Sequence, residues 1–309
     1  MTGFGYNVNG FGSFPDRTSK INATFVVVAG AGGGGGYLAG GGGAGGYFAQ
    51  TSEVTFLGGV TYAVTIGAGG AGRSSNNGYS GADSKIATGG STLYQSKGGG
   101  AGASYNNDGV AGGSGGGAGS GTGNATSDVP GGAASNSGYN SSGNEGGNGE
   151  GASNIGNYYG GGGGGGSAGR GQDGSYWYGG NSGIGTSDAT AGVGSAIYVS
   201  IGGGGSAKSP DANASQGGGT GGDAANADPS TSSRGHSIWN SGSVANTAGT
   251  ANTGNGGGGS VNATGSSGGS GLVVFKYAGG TQASGGTISA TGGYTYHRFT
   301  SSGNFIPNG

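Results

Sequence analysis

Eight glycine runs constrain this chain more than any other feature. They are Gly32–Gly36, Gly40–Gly43, Gly98–Gly100, Gly115–Gly117, Gly160–Gly166, Gly202–Gly205, Gly217–Gly219 and Gly256–Gly259. An α-helix is a poor home for them, because glycine costs about 1 kcal/mol relative to alanine at each interior helical position. Two states remain. One is a flexible linker, since Gly/Ser chains behave as random coils. The other is a left-handed polyglycine helix with three residues per turn, a rise of about 3.1 Å and no internal hydrogen bonds. In that helix every backbone N–H and C=O points outward and needs a partner on a neighbouring segment. Neighbours come close enough only where no side chain separates the backbones, so such a lattice demands glycine. The seven-residue run would span roughly 22 Å. Ordering glycine costs more backbone entropy than any other residue, so the lattice must pair its backbone almost completely. Two features favour the lattice. Tyr37, Tyr47, Tyr158, Tyr159, Tyr176, Trp177 and Tyr178 border the runs, and glycine-rich sequence fills too much of the chain for linkers.

Composition narrows the class further. Of 309 residues, 93 are glycine and only 5 are proline. Collagen is excluded, since it needs glycine at every third position and abundant proline. Leu, Ile, Val and Phe together number 38, too few for an ordinary core, and by composition alone the chain reads as low-complexity. Disorder driven by charge is excluded by 7% charged residues and a net charge of −2. With no cysteine there is no thiol nucleophile, thiolate metal site or disulfide. The chain is not basic, so no nucleic-acid partner is expected. No run of 18 apolar residues exists, so no membrane insertion is expected. The segment Met1–Gly12 lacks a basic-then-apolar pattern, and classical secretion is not expected.

The texture of the chain suggests four regions: a lead segment 1–22 with Phe4, Tyr6, Phe11 and Phe14, a β-rich segment 23–96 holding the first glycine runs, a glycine-rich region 97–271, and terminal strands in 272–309. Strands are expected at Ala23–Ala29, Gly46–Gln50, Ser52–Leu57, Thr61–Ile66, Asp83–Ala87, Ser91–Ser96, Leu272–Tyr277, Thr287–Ala290, Tyr294–Thr300 and Asn304–Ile306. Gly58–Gly59 reads as a tight hairpin turn between its two flanking strands. The expected fold is all-β: a small antiparallel β-sandwich built from both ends of the chain, with the middle forming a polyglycine II helix bundle.

Four stretches carry a resemblance. They are Thr24–Gly36 (FVVVAG, then AGGGGG), Gly58–Gly72 (GGVTYAVTIGAGGAG), Gly268–Tyr277 (GGSGLVVFKY) and Gly292–Phe305 (GGYTYHRFTSSGNF). In this order they resemble the glycine-rich tail-fibre and adhesin modules of tailed bacteriophages; region 97–271 shares only texture with them. The resemblance implies a non-enzymatic virion structural protein of a tail fibre or fibre tip, outside the cell. Implied partners are other copies of the chain (a trimer or a head-to-tail polymer), other virion tail proteins, and a host surface glycan or outer-membrane protein. In tandem arrays of that family a strand like Tyr294–Phe305 precedes the valine strand of a following module. Tyr294, Tyr296, Phe299 and Phe305 are therefore candidates for a strand that links one copy to the next. The plainer reading is that the strand closes its own sandwich.

Other candidate residues follow from chemistry. Tyr158, Tyr159, Tyr176, Trp177 and Tyr178, with the cluster of His236 and Trp239, offer rings that stack on sugars or capture apolar groups; the plainer reading is that they roof the bundle edges. Gly32, Gly98, Gly160, Gly163, Gly166, Gly202, Gly217 and Gly256 represent the polyglycine core. No catalytic, cofactor-binding or metal residue is expected. His236 and His297 lack spaced acidic partners, no glycine run opens into Gly-Lys-Ser or Gly-Lys-Thr, and Asp108, Asp173, Asp211 and Asp228 sit in turn sequences. Five Asn-x-Ser/Thr sites, at Asn22, Asn124, Asn140, Asn213 and Asn262, are expected by chance in so Asn- and Ser-rich a chain. A self-assembling extracellular filament is the alternative function. Ice binding is a remote third, since no Thr or Ala repeats at fixed spacing.

Overall fold

A computed structural model describes residues 19–121, 129–150, 159–175, 178–208, 237–239, 242–244 and 246–309. The strands, in chain order, are β1 (Lys20–Val28), β2 (Tyr47–Leu57), β3 (Tyr62–Thr65), β4 (Ser84–Thr88), β5 (Ser91–Ser96), β6 (Tyr159–Gly160), β7 (Thr186–Asp188), β8 (Ile197–Val199), β9 (Ala207–Lys208), β10 (Ser237–Trp239), β11 (Gly242–Val244), β12 (Leu272–Ala278), β13 (Ala283–Ser284), β14 (Thr287–Thr291), β15 (Tyr294–Phe299) and β16 (Gly303–Pro307). The described residues include no helix. The fold is all-β and sandwich-like, with two five-stranded antiparallel sheets ordered β14-β15-β12-β1-β2 and β13-β16-β3-β4-β5.

Both ends of the sequence build each sheet. β1 pairs with β12 from Thr24↔Lys276 to Val28↔Leu272, and β16 pairs with β3 from Gly303↔Val64 to Phe305↔Tyr62. The continuous apolar run of β1 is explained by burial on both faces. Phe25 and Val27 face the other sheet, beside Phe56, Val64, Ile86, Phe275, Phe299 and Phe305. Val26 and Val28 face outward with Leu272, Val274 and Tyr296, and there Ala191 and Val199 cover them. The inter-sheet core is mostly aromatic. Phe275 stacks on Phe305 at 4.1 Å, and Phe56 meets both edge-on at 5.5 and 5.6 Å. Burying five phenylalanines contributes on the order of 10 kcal/mol, so few apolar residues suffice because they converge on one spot.

Two local expectations change. Gly46–Gln50 and Ser52–Leu57 form one strand, β2, which a register shift opposite Ala23–Phe25 lets bend without ending. Gly58–Gly59 does not close a hairpin: it carries the chain from β2 in one sheet to β3 in the other. The two glycine amides go instead to the ends of the chain, Gly58 N–H to Ser19 O and Gly59 N–H to Pro307 O.

The glycine segments form a bundle with a strict three-residue hydrogen-bond period. Gly30, Gly33 and Gly36 donate to Ala82, Tyr79 and Asn76; Ala31 and Gly34 donate to Gly269 and Ser266; Gly32 and Gly35 donate to Gly43 and Gly40. Successive residues thus address three different neighbours in rotation, as a three-fold helix requires. Segment 38–46 lies at the centre. Gly40, Gly43 and Gly46 donate to segment 97–103, Gly41 and Ala44 to 162–165, and Gly42 and Gly45 to 254–257. The same segment accepts from 29–35, from 114–120 and from 203–206. Six neighbours around one axis make a hexagonal lattice, and every backbone group from Gly40 to Ala44 is paired within it. Glycine is needed because the backbones touch. A Cβ built on Gly42 would overlap the carbonyl of Gly32, and one on Gly164 that of Gly42. The lattice draws on residues from both sides of position 97.

Candidate functional site

Glycine segments run between the sandwich and the far end of the bundle, some outward and some back. β1 feeds 29–36, which turns at Tyr37; β5 feeds 97–104, which turns at Tyr105. The far-end turns are tied to one another by backbone bonds: Gly36 N–H to Asn76 O (3.1 Å), Tyr105 N–H to Tyr37 O (3.0 Å), Asn106 N–H to Ser120 O (2.7 Å) and Leu38 N–H to Val261 O (2.7 Å). Gly121 donates to Glu150 and Glu150 to Gly160 at the same level. Ser175 and Tyr178 exchange backbone bonds at 2.8 and 3.2 Å, closing a further turn.

Tyrosines collect on these turns. Tyr37 meets Tyr105 edge-on at 5.7 Å, and Tyr105 meets Tyr159 edge-on at 5.9 Å. The Lys208 ammonium lies 5.7 Å from the Tyr159 ring centre. Burial, with the neighbouring Tyr159 and Tyr37 hydroxyls, pushes the Tyr105 phenol above its ordinary value. Tyr37 has φ 63° and is half-exposed, while the next residue, Leu38, is buried and anchors the turn. Tyr178 is exposed at 44%. One turn below the tip, Tyr79 is exposed at 55% with the Arg73 guanidinium 5.0 Å over its ring. Rings held this way, on turns pinned to a paired lattice, present rigid amphipathic surface for stacking or apolar contact at little entropic cost.

The expected site residues fall into four groups. Tyr159 and Tyr178 lie at the far end, as described. Tyr158, Tyr176, Trp177 and His236 lie outside the described residues, as does the side chain of Trp239; Tyr158 directly precedes Tyr159, and Tyr176–Trp177 sit between Ser175 and Tyr178. Gly32, Gly98, Gly160, Gly163, Gly166, Gly202 and Gly256 are buried in the lattice, and Gly217 lies outside the described residues. Of the linking-strand candidates, Tyr294 is exposed, whereas Tyr296, Phe299 and Phe305 are buried in this chain's own cores. β15 pairs with β12 and β14, and β16 with β3 and β13, all within the chain. Tyr105, Tyr79, Arg73 and Lys208 escaped sequence reasoning. Tyr105 opens a Tyr-Asn-Asn-Asp turn between two glycine segments, which was a usable signal; Lys208 carried none.

Two polar clusters brace the sandwich instead of forming a site. Tyr47 Oη donates to Asp188 Oδ2 at 2.6 Å, and Ala191 N–H donates to Asp188 Oδ1 at 2.7 Å. This fastens the β7–β8 hairpin to β2; burial and the adjacent carboxylate push the Tyr47 phenol strongly up. Asp83 accepts from Gln95 Nε2, Tyr139 Oη and Gly98 N–H, which joins sheet to bundle. Asp173, expected in a turn, lies instead in a bundle segment: it accepts from Asn148 N–H, 25 residues away, and pairs with Arg170. Among the described residues no group of His, Asp and Glu could hold a metal ion, and no helix is long and apolar enough to cross a membrane.

The family model for a glycine-rich domain matches residues 11–278 of the chain. A search of the curated proteins finds no match.

Proposed function

From a chain that belongs to the glycine-rich domain family, we propose a non-enzymatic binding protein: a tail-fibre or fibre-tip adhesin of a tailed bacteriophage. The bundle is its stiff projection and the far-end turns contact the host surface. The observation that carries this reading is the gathering of Tyr37, Tyr105, Tyr159 and Tyr178 at one end of an otherwise side-chain-poor bundle. The opposite end supports it too. Ser19, Gly58 and Pro307–Asn308 meet at the sandwich pole farthest from those turns, which leaves that pole for attachment to other virion tail proteins. The target is a glycan or an outer-membrane protein, both of which aromatic-rich contact surfaces bind.

Adsorption of fluorescently labelled protein to a panel of bacterial strains tests this. Tyr37→Ala and Tyr178→Ala remove exposed rings, so folding persists; together they lower adsorption at least tenfold, as loss of aromatic contact residues does. Adsorption equal to wild type in the folded double variant overturns the reading. The head-to-tail filament remains the second proposal. It requires the β15–β16 segment to leave its own core, and long uniform fibres of purified protein in negative-stain images would favour it.

A further inference from the structure

His297 is fully buried between the sheets, and both ring nitrogens are bonded. The Gly285 carbonyl can only accept, so Nδ1 carries the proton and donates to it at 2.7 Å. In the neutral ring Nε2 is then an acceptor, and Tyr277 Oη donates to it at 2.8 Å. Tyr277 Oη in turn accepts from Gln282 N–H at 3.0 Å. One imidazole therefore holds both ends of segment 282–285, which crosses from β12 in one sheet to β13 at the edge of the other and on to β14.

We propose that this triad is an acid-sensitive latch: protonation of His297 releases residues 282–291, with strands β13 and β14, from the sandwich while the rest stays folded. A second ring proton turns Nε2 into a donor. Tyr277 Oη must then accept from both Nε2 and Gln282, and its own proton loses its acceptor in a site without water contact. The groups facing the ring are Phe275 from β12, Ile288 from β14, the Phe305 ring at 5.2 Å, and Tyr277, the one titratable group among them. No carboxylate faces the ring; burial holds the imidazole below its ordinary range, and the Gly285 carbonyl, which favours the charged form, only partly opposes it.

Release stays local because the segment's other ties lie at the sandwich edge: the β14–β15 ladder, two β13–β16 pairs and Asn308 N–H to Gln282 O. β13 spans two residues, β14 is an exposed edge strand, Ile288 is 43% exposed, and Gly285, Gly286, Gly292 and Gly293 at its bends have positive φ. The start of the crossover has its own bonds, Thr295 Oγ1 to Gly279 O and Gly279 N–H to Gly293 O. β1 and β12, by contrast, sit in the aromatic core.

Hydrogen exchange of the full chain at pH 7.5 and 4.5, corrected for intrinsic exchange, reads the latch. Protection of the β14 amides falls at least tenfold at pH 4.5, while β1 and β12 keep theirs. His297→Gln, which cannot charge, removes the change. Should that variant fail to fold, Tyr277→Phe keeps the ring packing but removes the hydroxyl, and β14 is then deprotected at pH 7.5 already. Unchanged β14 protection at pH 4.5, loss in step with β1, or wild-type behaviour of Tyr277→Phe overturns the proposal.

Discussion

A hydrogen in place of a methyl decides where this backbone can pack. At Gly42, Gly164 and Gly203 a Cβ would fall inside the carbonyl of a neighbouring helix, whereas at Gly280 it would meet nothing. Gly42→Ala must push apart two backbones and loosen their hydrogen bonds, so it should cost about 3 kcal/mol by the usual scale of overpacking. Gly280→Ala should be neutral within about 0.5 kcal/mol. Denaturant titration of the two variants checks the pair. Titration supplies a second residue-scale expectation. Because the folded imidazole of His297 is held below its ordinary value, the unfolded chain binds a proton that the folded chain resists. Stability is therefore unaffected above about pH 6.5 and declines as pH falls below it, until the folded group also titrates. Denaturation midpoints measured from pH 8 to pH 4 should show this decline, and His297→Gln should reduce it.

At the scale of elements, stability rests on convergence. Phe275 touches Phe25, Phe56, Phe299 and Phe305, so Phe275→Ala should cost about 4 kcal/mol and leave little folded protein in a thermal melt. Tyr47→Phe removes one bond to a carboxylate and should cost about 2 kcal/mol, with the β7–β8 hairpin losing exchange protection before the sheets. The sheets were legible in the sequence because their strands carry their own signal: ATFVVVA and LVVFKY are β-branched runs with glycine at their borders. The β7–β8 hairpin was not legible. Thr186–Asp188 is polar, and it is tied to β2 through Asp188 and Tyr47, which lie 141 residues apart in the chain. The Gly58–Gly59 turn misled for the same reason, since Ser19 and Pro307 decide which way it leads. The tip was half legible: aromatics bordering glycine runs were evident, but the Tyr37–Tyr105–Tyr159 stack exists only once the lattice aligns its turns.

Across the whole molecule, two kinds of core sit end to end. The sandwich buries rings and the bundle pairs backbone, each doing what the other's composition cannot. Ion pairs have almost no part in either, and the carboxylates of Asp83 and Asp188 act through hydrogen bonds. Arg170–Asp173 is the one ion pair among the described residues, and both partners are nearly half exposed. Raising salt from 0.05 to 1 M should therefore move the melting temperature little, since exposed pairs contribute weakly and are the ones salt screens. The central claim is that glycine here is core. Hydrogen exchange resolved at Gly40–Gly46 tests it most directly. Protection there should match that of β1 and β12; exchange at random-coil rates would return these runs to the status of linkers.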